Sequence, residues 1–328
     1  MKNWSSKIFK NLSEFEFDTL AMEAFEFQYR NISIYQAYCK SLKVSPELVE
    51  SSSQIPFLPI TFFKSHKIIK EGSHAQETFF SSRTSGTDPS IHYVSSIDIY
   101  RSSFLKAFEL NYGSPKNWCI LALLPSYLER EGSSLVFMCD ELIRISNHPL
   151  SGFYLDDYEK LSQTISQLIS NHQPTILIGV TYALLDFSVY KIQLPGNFIV
   201  METGGMKGRR KELVKEEVHE ILCKNFQIST IHSEYGMTEL LSQAYSKSTG
   251  KFTCPPWMKV YIREFNDPFS RVSNGKSGGI NIIDLANIYS CCFIETKDLG
   301  KLHPDNTFEV LGRFDNSDIR GCNLMVQF

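Results

Sequence analysis

Apolar residues at helical spacing open the chain. Phe17, Leu20, Ala21, Ala24 and Phe25, then Ile32, Tyr35 and Tyr38, recur three and four apart between about Leu12 and Leu42, and they predict two consecutive helices. In "QIPFLPITFFKSHKII", which follows, Pro56 and Pro59 force an extended path. From Glu77 onward, continuous apolar runs alternate with helical patterns. "NWCILALLP", "PTILIGVT" and "FIVMETGG" read as strands, while "LSQTISQLISNH" and "KELVKEEVHEILCKNF" read as helices. Strands without polar alternation, separated by helices, predict an α/β fold on a largely parallel sheet. After Gly250 the runs shorten to "VYIREF", "GGINIID" and "CCFIETKDLG" with turn residues between them, which predicts a second, more antiparallel sheet.

Composition narrows the function classes. A chain of 328 residues suits one large domain or two unequal ones. Its 24 Phe and 15 Tyr fit either a chain that lines an apolar ligand cavity or simply a phenylalanine-rich core. A net charge of -3 gives no electrostatic case for nucleic acid or an anionic membrane. The start, "MKNWSSKIFKNLSEFEF", has no apolar secretory core, and the apolar stretch Thr175 to Phe187 is too short to span a bilayer. Eight cysteines without a CxxC argue against zinc and against a disulfide framework, so a cytoplasmic protein with reduced thiols is expected.

Four stretches carry candidate chemistry. "FFSSRTSGTDPS" is a hydroxyl-rich turn around Gly86 that offers N–H and O–H donors to phosphate oxygens or is a plain surface turn; it has no GxxxxGK[ST]. "HSEYGMTELLSQ" puts Glu239 just past a strand end, where it can serve as the one carboxylate a magnesium ion needs or as a solvated helix-starting acid. In "METGGMKGRRKELVKEEVHEILCKNF", Leu213, Val214, Val218, Ile221, Leu222 and Phe226 form a stripe, which predicts a helix opening near Gly208. Lys207, Arg209, Arg210 and Lys211 would then crowd its first turn, against the dipole, and Glu212, Glu216 or an anionic ligand would compensate. "ETKDLG" and "LGRFDNSDIRG" supply Asp298 and Arg313, suited to ribose hydroxyls and phosphate, or to a mutual salt bridge. "GKSGG" matches GxSxG but precedes a strand, so it reads as a β-turn; Cys291 and Cys292 are neighbours in a β run and read as packing residues.

Taken in order, the Ser/Thr/Gly loop, "YGMTE", "TKD" and "GRFDNSDIRG" resemble the core motifs of adenylate-forming enzymes. "IPFLPITFFKS", "LPSYLEREGSSLVFM", "METGGMKGRR" and "RGCN" are more specifically similar to the acyl-protein synthetases of the LuxE type, over about Ile55 to Leu324. The resemblance implies an α/β fold of stacked sheets with helices, the large N-terminal domain of an adenylate-forming enzyme without most of the small C-terminal domain. That domain would cover residues 1–312, with a helical part over 1–75, and residues 313–328 would be hinge and truncated tail. By the same resemblance Thr84, Ser85, Gly86 and Thr87 form the phosphate loop and Glu239 binds magnesium. Gly204 and Gly205 lie by adenine, and Tyr235, Gly236, Met237 and Thr238 border adenine and the acid. Asp298 holds the ribose hydroxyls with Arg313 nearby, and Asp315 is the hinge. The chain departs from the superfamily pattern at Asp88, Pro89 and Ser90, where Thr-Gly and a downstream Lys are usual.

The chemistry so implied uses ATP and Mg²⁺. A carboxylate is a poor acyl donor, so ATP converts it to an acyl adenylate, and a thiolate then accepts the acyl group. The resemblance assigns that thiol to Cys322, beside Arg320 and Gly321, with a long-chain fatty acid as substrate, an acyl reductase as protein partner, and self-association of the chain as a further option. Two alternatives stand beside it: an acyl- or aryl-CoA ligase, and a non-catalytic acyl- or nucleotide-binding subunit. Tyr127 and Tyr182 are candidate pocket walls or core residues.

Overall fold

A computed structural model describes residues 4–81, 88–124, 132–204, 213–265, 267 and 269–314. The chain forms two compact units, one from residues 1–73 and 256–328 and the other from residues 74–255.

The first unit starts with α1 (Trp4–Ile8), α2 (Glu14–Asn31) and α3 (Ser33–Ser41), then β1 (Leu58–Pro59) and α4 (Phe62–Ser65). Ser13 and Glu16 make a reciprocal capping box: the Ser13 N–H donates to Glu16 Oε2 at 2.8 Å, and the Glu16 N–H donates to Ser13 Oγ at 3.3 Å. The predicted stripe of α2 is buried from Phe17 to Phe25, and it continues into a polar residue, Gln28.

The second unit begins with an antiparallel pair, β2 (Glu77–Phe80) and β3 (Ile91–Val94), followed by α5 (Ile97–Tyr112). Then come β4 (Cys119–Leu123), α6 (Ser134–Ser146), β5 (Gly152–Phe153), α7 (Tyr158–Ser170), β6 (Thr175–Val180), α8 (Thr181–Ser188), β7 (Phe198–Thr203) and α9 (Lys215–Phe226). The unit closes with β8 (His232–Tyr235), β9 (Ala244–Ser246) and β10 (Lys251–Phe252). Its main sheet has the order β5-β4-β6-β7-β8-β9 and is parallel except for β9, which runs antiparallel to β8. Every residue of β4 and β6 is buried, which is why these strands read as unbroken apolar runs.

The chain then returns to the first unit as β11 (Met258–Arg263), β12 (Ser277–Asp284), β13 (Phe293–Leu302) and β14 (Phe308–Arg313). These pair antiparallel in the order β14-β13-β12-β11, and β1 adds in parallel on β13. Gln28 ties α2 to this sheet. Its Nε2 donates to the carbonyls of Asn287 and Ile288, each at 3.0 Å, and its Oε1 accepts the Cys292 N–H at 3.0 Å. Tyr35 stacks on Phe293 with centroids 5.9 Å apart and donates to the Pro56 carbonyl at 2.7 Å.

Both expected sheets are present, and the GxSxG match is a turn: Gly275 takes φ +89, and β12 begins at Ser277. Cys291 and Cys292 are buried, and burial pushes both thiols up, as expected of packing residues. Tyr182 is a core residue; Tyr127 lies outside the described residues. The helix expected from Gly208 opens later. Val214 has extended backbone (φ -69, ψ 155), and α9 starts at Lys215, because Glu217 Oε2 takes the Val214 N–H at 3.3 Å and caps the helix there. Its first turn therefore holds Glu216 and Glu217, which favour the dipole, and the basic run Lys207 to Lys211 precedes it, outside the described residues. Of the expected stripe, Val218, Leu222 and Phe226 are buried, while Val214 and Ile221 are exposed. No helix among the described residues is long and apolar enough to cross a membrane.

Replacing Gln28 by leucine strands two buried carbonyls and one N–H, and is expected to lower the unfolding free energy by about 2–4 kcal/mol. A urea midpoint within error of wild type would show that the amide is not the joint between α2 and the sheet.

Candidate functional site at the carboxyl ends of the parallel strands

Open α/β sheets bind ligands beyond the carboxyl ends of their strands. At that end of the second unit, Val180 of β6 is level with Thr203 of β7, and Thr203 is level with Glu234 of β8. Two acids stand there in adjacent strands, both almost wholly buried: Glu202 and Glu234.

Glu202 keeps its charge. Lys215, first residue of α9, reaches its Oε1 at 2.8 Å, with His219 Nε2 at 3.7 Å from the same oxygen. Burial pushes the carboxyl up, but the Lys215 ammonium and the hydrogen-bond donors around it outweigh burial and bring it down to about 2. Lys215 also lies over the Phe252 ring, 4.6 Å from its centroid. Thr181, at the start of α8, has one hydroxyl proton to share between Glu202 Oε2 at 3.1 Å and the Gly204 carbonyl at 2.9 Å. Gly204 follows β7 with φ +69, a conformation that favours glycine.

No cation among the described residues is paired with Glu234. Thr203 Oγ1 donates to its Oε2, yet burial, reinforced by the charge on Glu202, raises the carboxyl to about 7. Beyond it Tyr235 ends β8, half-edge against Phe252 with centroids 5.8 Å apart. Gly236 comes next, where an added Cβ would fall 2.5 Å from Glu234 Oε1.

The turn that follows contains Met237, Thr238 and Glu239, closed by the Leu240 N–H on the Met237 carbonyl at 3.1 Å. His92 Nδ1 bonds the Thr238 carbonyl at 2.8 Å; a carbonyl can only accept, so Nδ1 carries the proton. Burial lowers His92 to about 4, so it is neutral at neutral pH. Glu239 is 5% exposed and lies in this turn, so it is not a solvated helix-starting acid. No group of three His, Cys, Asp or Glu side chains among the described residues forms a metal cage. A cation that keeps water and ligand oxygens needs only one or two carboxylates, and Glu239 is the acid this turn offers.

The structure thus brings Gly204, Tyr235, Gly236, Met237, Thr238 and Glu239 to the ends of two adjacent parallel strands. Asp298 and Arg313 belong to the other unit, opposite each other in the β13–β14 register, with Arg313 Nε 3.3 Å from Asp298 Oδ1. Asp298 lies within β13, which continues to Leu302, and Arg313 is the last residue of β14. Thr84, Ser85, Gly86, Thr87, Gly205, Asp315 and Cys322 lie outside the described residues. The sequence reading did not single out Glu202, Glu234 or Lys215. Its available signal was an acid inside a run otherwise fit for a buried strand, which requires a partner.

Because the folded Glu202 carboxyl lies below its ordinary value, its contribution to stability is present above about 4.5 and is lost as pH falls through about 2. Lys215→Met leaves that charge uncompensated and is expected to cost about 3–5 kcal/mol at neutral pH. The gap to wild type should narrow as pH falls, first as the variant's Glu202, no longer held down by Lys215, takes up a proton, and further below about pH 4.5 as wild type loses the contribution of its ionised carboxyl. Urea unfolding at both pH values checks this; a gap independent of pH would mean that Lys215 acts by packing on Phe252.

A model of the acyl-protein synthetase family, LuxE, matches residues 7–327. Among solved structures, the chain is similar to 2-hydroxyisobutyryl-CoA ligase in complex with 2-HIB-AMP and CoA, at TM-score 0.69 and 13% identity, over 94% of this chain and 70% of that one. ATP-bound MatB from Rhodopseudomonas palustris matches at TM-score 0.53 and 16% identity, over 72% and 47%. MenE from Bacillus subtilis, in complex with ATP and magnesium, matches at TM-score 0.50 and 16% identity, over 72% and 49%. At such identities the likeness is one of fold, and the chain spans 47% to 49% of the length of the MatB and MatB-chimera structures. The curated proteins give no match. With the family match running almost end to end, on an α/β scaffold shared with adenylate-forming ligases, the chain belongs to the acyl-protein synthetase (LuxE) family.

Proposed function

We propose that the protein activates a carboxylic acid with ATP and passes the acyl group to a thiol. The observation that carries the reading is the turn between the buried Tyr235 and the buried Glu239 at the carboxyl ends of parallel strands, in a chain whose family is named for acyl-protein synthesis. A carboxylate oxygen attacks the α-phosphorus, the α–β bond breaks, and pyrophosphate leaves. A thiolate then attacks the acyl carbon and AMP leaves, forming a thioester. Both steps need positioned donors and charge neutralisation more than protein bases.

The residues fit such a nucleotide and its cation. A hard cation takes oxygen ligands, and Glu239 would hold it; when bound, it neutralises charge developing on the phosphates. The left-handed backbone at Gly204 and the side-chain-free Gly236 leave the strand ends open to a planar base beside Tyr235. Thr84, Ser85, Gly86 and Thr87 are proposed for the phosphates, Gly205 for adenine, Asp298 with Arg313 for the ribose side, and Asp315 for the hinge, all by family resemblance. Cys322 is proposed as the acyl acceptor, a long-chain fatty acid as substrate and an acyl reductase as the recipient.

Acid-dependent ATP–pyrophosphate exchange tests the first step. Wild type should exchange with at least one fatty acid, and Glu239→Gln should be slower by about a hundredfold or more. Cys322→Ser should keep exchange and lose covalent labelling by radioactive acid. Exchange with no acid tried would sink the ligase reading. Labelling that survives in Cys322→Ser, or a thioester formed only when coenzyme A is added, would move the acceptor elsewhere.

A further inference from the structure

The carboxyl ends of β7 and β8 and the start of β9 hold a buried acceptor that needs a donor. Gln243 immediately precedes β9 and faces Gly236, since Tyr235 is level with Ala244. It is 3% exposed, and its Oε1 is buried with no hydrogen-bond partner among the described residues. The point an added Cβ at Gly236 would occupy lies 2.5 Å from Glu234 Oε1 and 3.4 Å from Gln243 Cγ, so the carboxyl and the amide flank one side of the same glycine. An ionised Glu234 can only accept and has no proton to offer the Gln243 Oε1, whereas a protonated one has.

We propose that Glu234 is a positioning residue that carries its own proton as a bridge: Thr203 Oγ1 donates to its Oε2, and its O–H donates to Gln243 Oε1, fixing the Gly236–Glu239 turn. This rests on the reading that the turn handles the nucleotide and its cation. The bridge ties β7 to β8 to the start of β9, while Thr181 holds the neighbouring Gly204 from α8.

Among the described residues, the groups around Glu234 disfavour its charge or fail to relieve it. Glu202 on β7 is ionised and repels it, and Lys215, which attracts it, is committed to Glu202, with His219 alongside on α9. On α5, α6 and β9, Tyr112, Cys139 and Tyr245 are neutral groups held well above their ordinary values by burial and by Glu234. His232, on β8 itself, is held down to about 4 by burial and stays neutral. Loss of the proton breaks the bridge, and the carboxyl titrates near 7, within reach of physiological conditions.

The experiment is the pH profile of acid-dependent ATP–pyrophosphate exchange over about pH 6 to 9, with infrared spectra of the free protein. Wild-type exchange should fall about tenfold per pH unit once the carboxyl has ionised. Glu234→Gln supplies an N–H that cannot titrate: it should retain exchange and lose this alkaline limb. Gln243→Met removes the acceptor and should move the limb to lower pH, a change that a merely structural role would not produce. The infrared spectrum should hold a protonated-carboxyl band that fades through about pH 7 and is absent in Glu234→Gln, or shifted in Glu234→Asp should the amide variant not fold. If no acid supports exchange, the functional reading fails and the band alone decides the bridge. No such band at the acid end, as with an ionised Glu234 served by a flipped Gln243 amide, overturns the proposal, as does an alkaline limb unchanged in Glu234→Gln.

Discussion

A full negative charge on Glu202, sealed in a strand at the end of a parallel sheet, can persist only if a cation is held against it. Lys215 is that cation, and its short reach dictates much of the second unit. Helix α9 begins with the residue that touches Glu202, directly after the extended Val214. Thr181 must open α8 beside the same carboxyl, and in doing so it pins the carbonyl of Gly204. The neighbouring acid on β8 is pushed toward its neutral form by burial and by that charge, while Lys215 is engaged with Glu202. One buried ion pair thus sets a helix start, a strand end and the protonation of an adjacent carboxyl.

The first unit uses the same economy with uncharged or delocalised groups. Gln28 crosses from α2 to the segment between β12 and β13 and satisfies three backbone groups that no strand reaches. Arg263, at the end of β11, is nearly buried; its guanidinium donates to the carbonyls of Ile280 and Thr296 and to Asn281 Oδ1. Gly279 is bare because the guanidinium lies where a side chain would go. Asp298 and Arg313, by contrast, pair across two strands with the arginine largely exposed, so their mutual attraction adds little to stability.

Repetition made the scaffold readable from the sequence. The apolar runs Cys119–Leu123, Thr175–Val180 and Phe198–Thr203 announced buried parallel strands, and the stripe from Phe17 to Phe25 announced α2, because spacing along the chain maps directly onto one face of a strand or helix. The turn "YGMTE" stood out as well, through its resemblance to a motif of adenylate-forming enzymes. Gln28, Glu202 and Glu234 were not. Each is a polar residue inside an apolar pattern, and its meaning depends on a partner hundreds of residues away, or on a neighbouring strand, or on a helix start that spacing misplaced from Lys215 to Gly208.

The sequence by itself therefore determined the class of fold, the order of its elements and the family to which they belong, since these follow from periodicity and from local motifs. The tertiary structure alone decided which carboxylate stays charged and which gathers a proton. Glu202 and Glu234 are the same side chain on adjacent strands, and only the placement of one lysine, together with the burial of both acids, separates a carboxyl at about 2 from one at about 7.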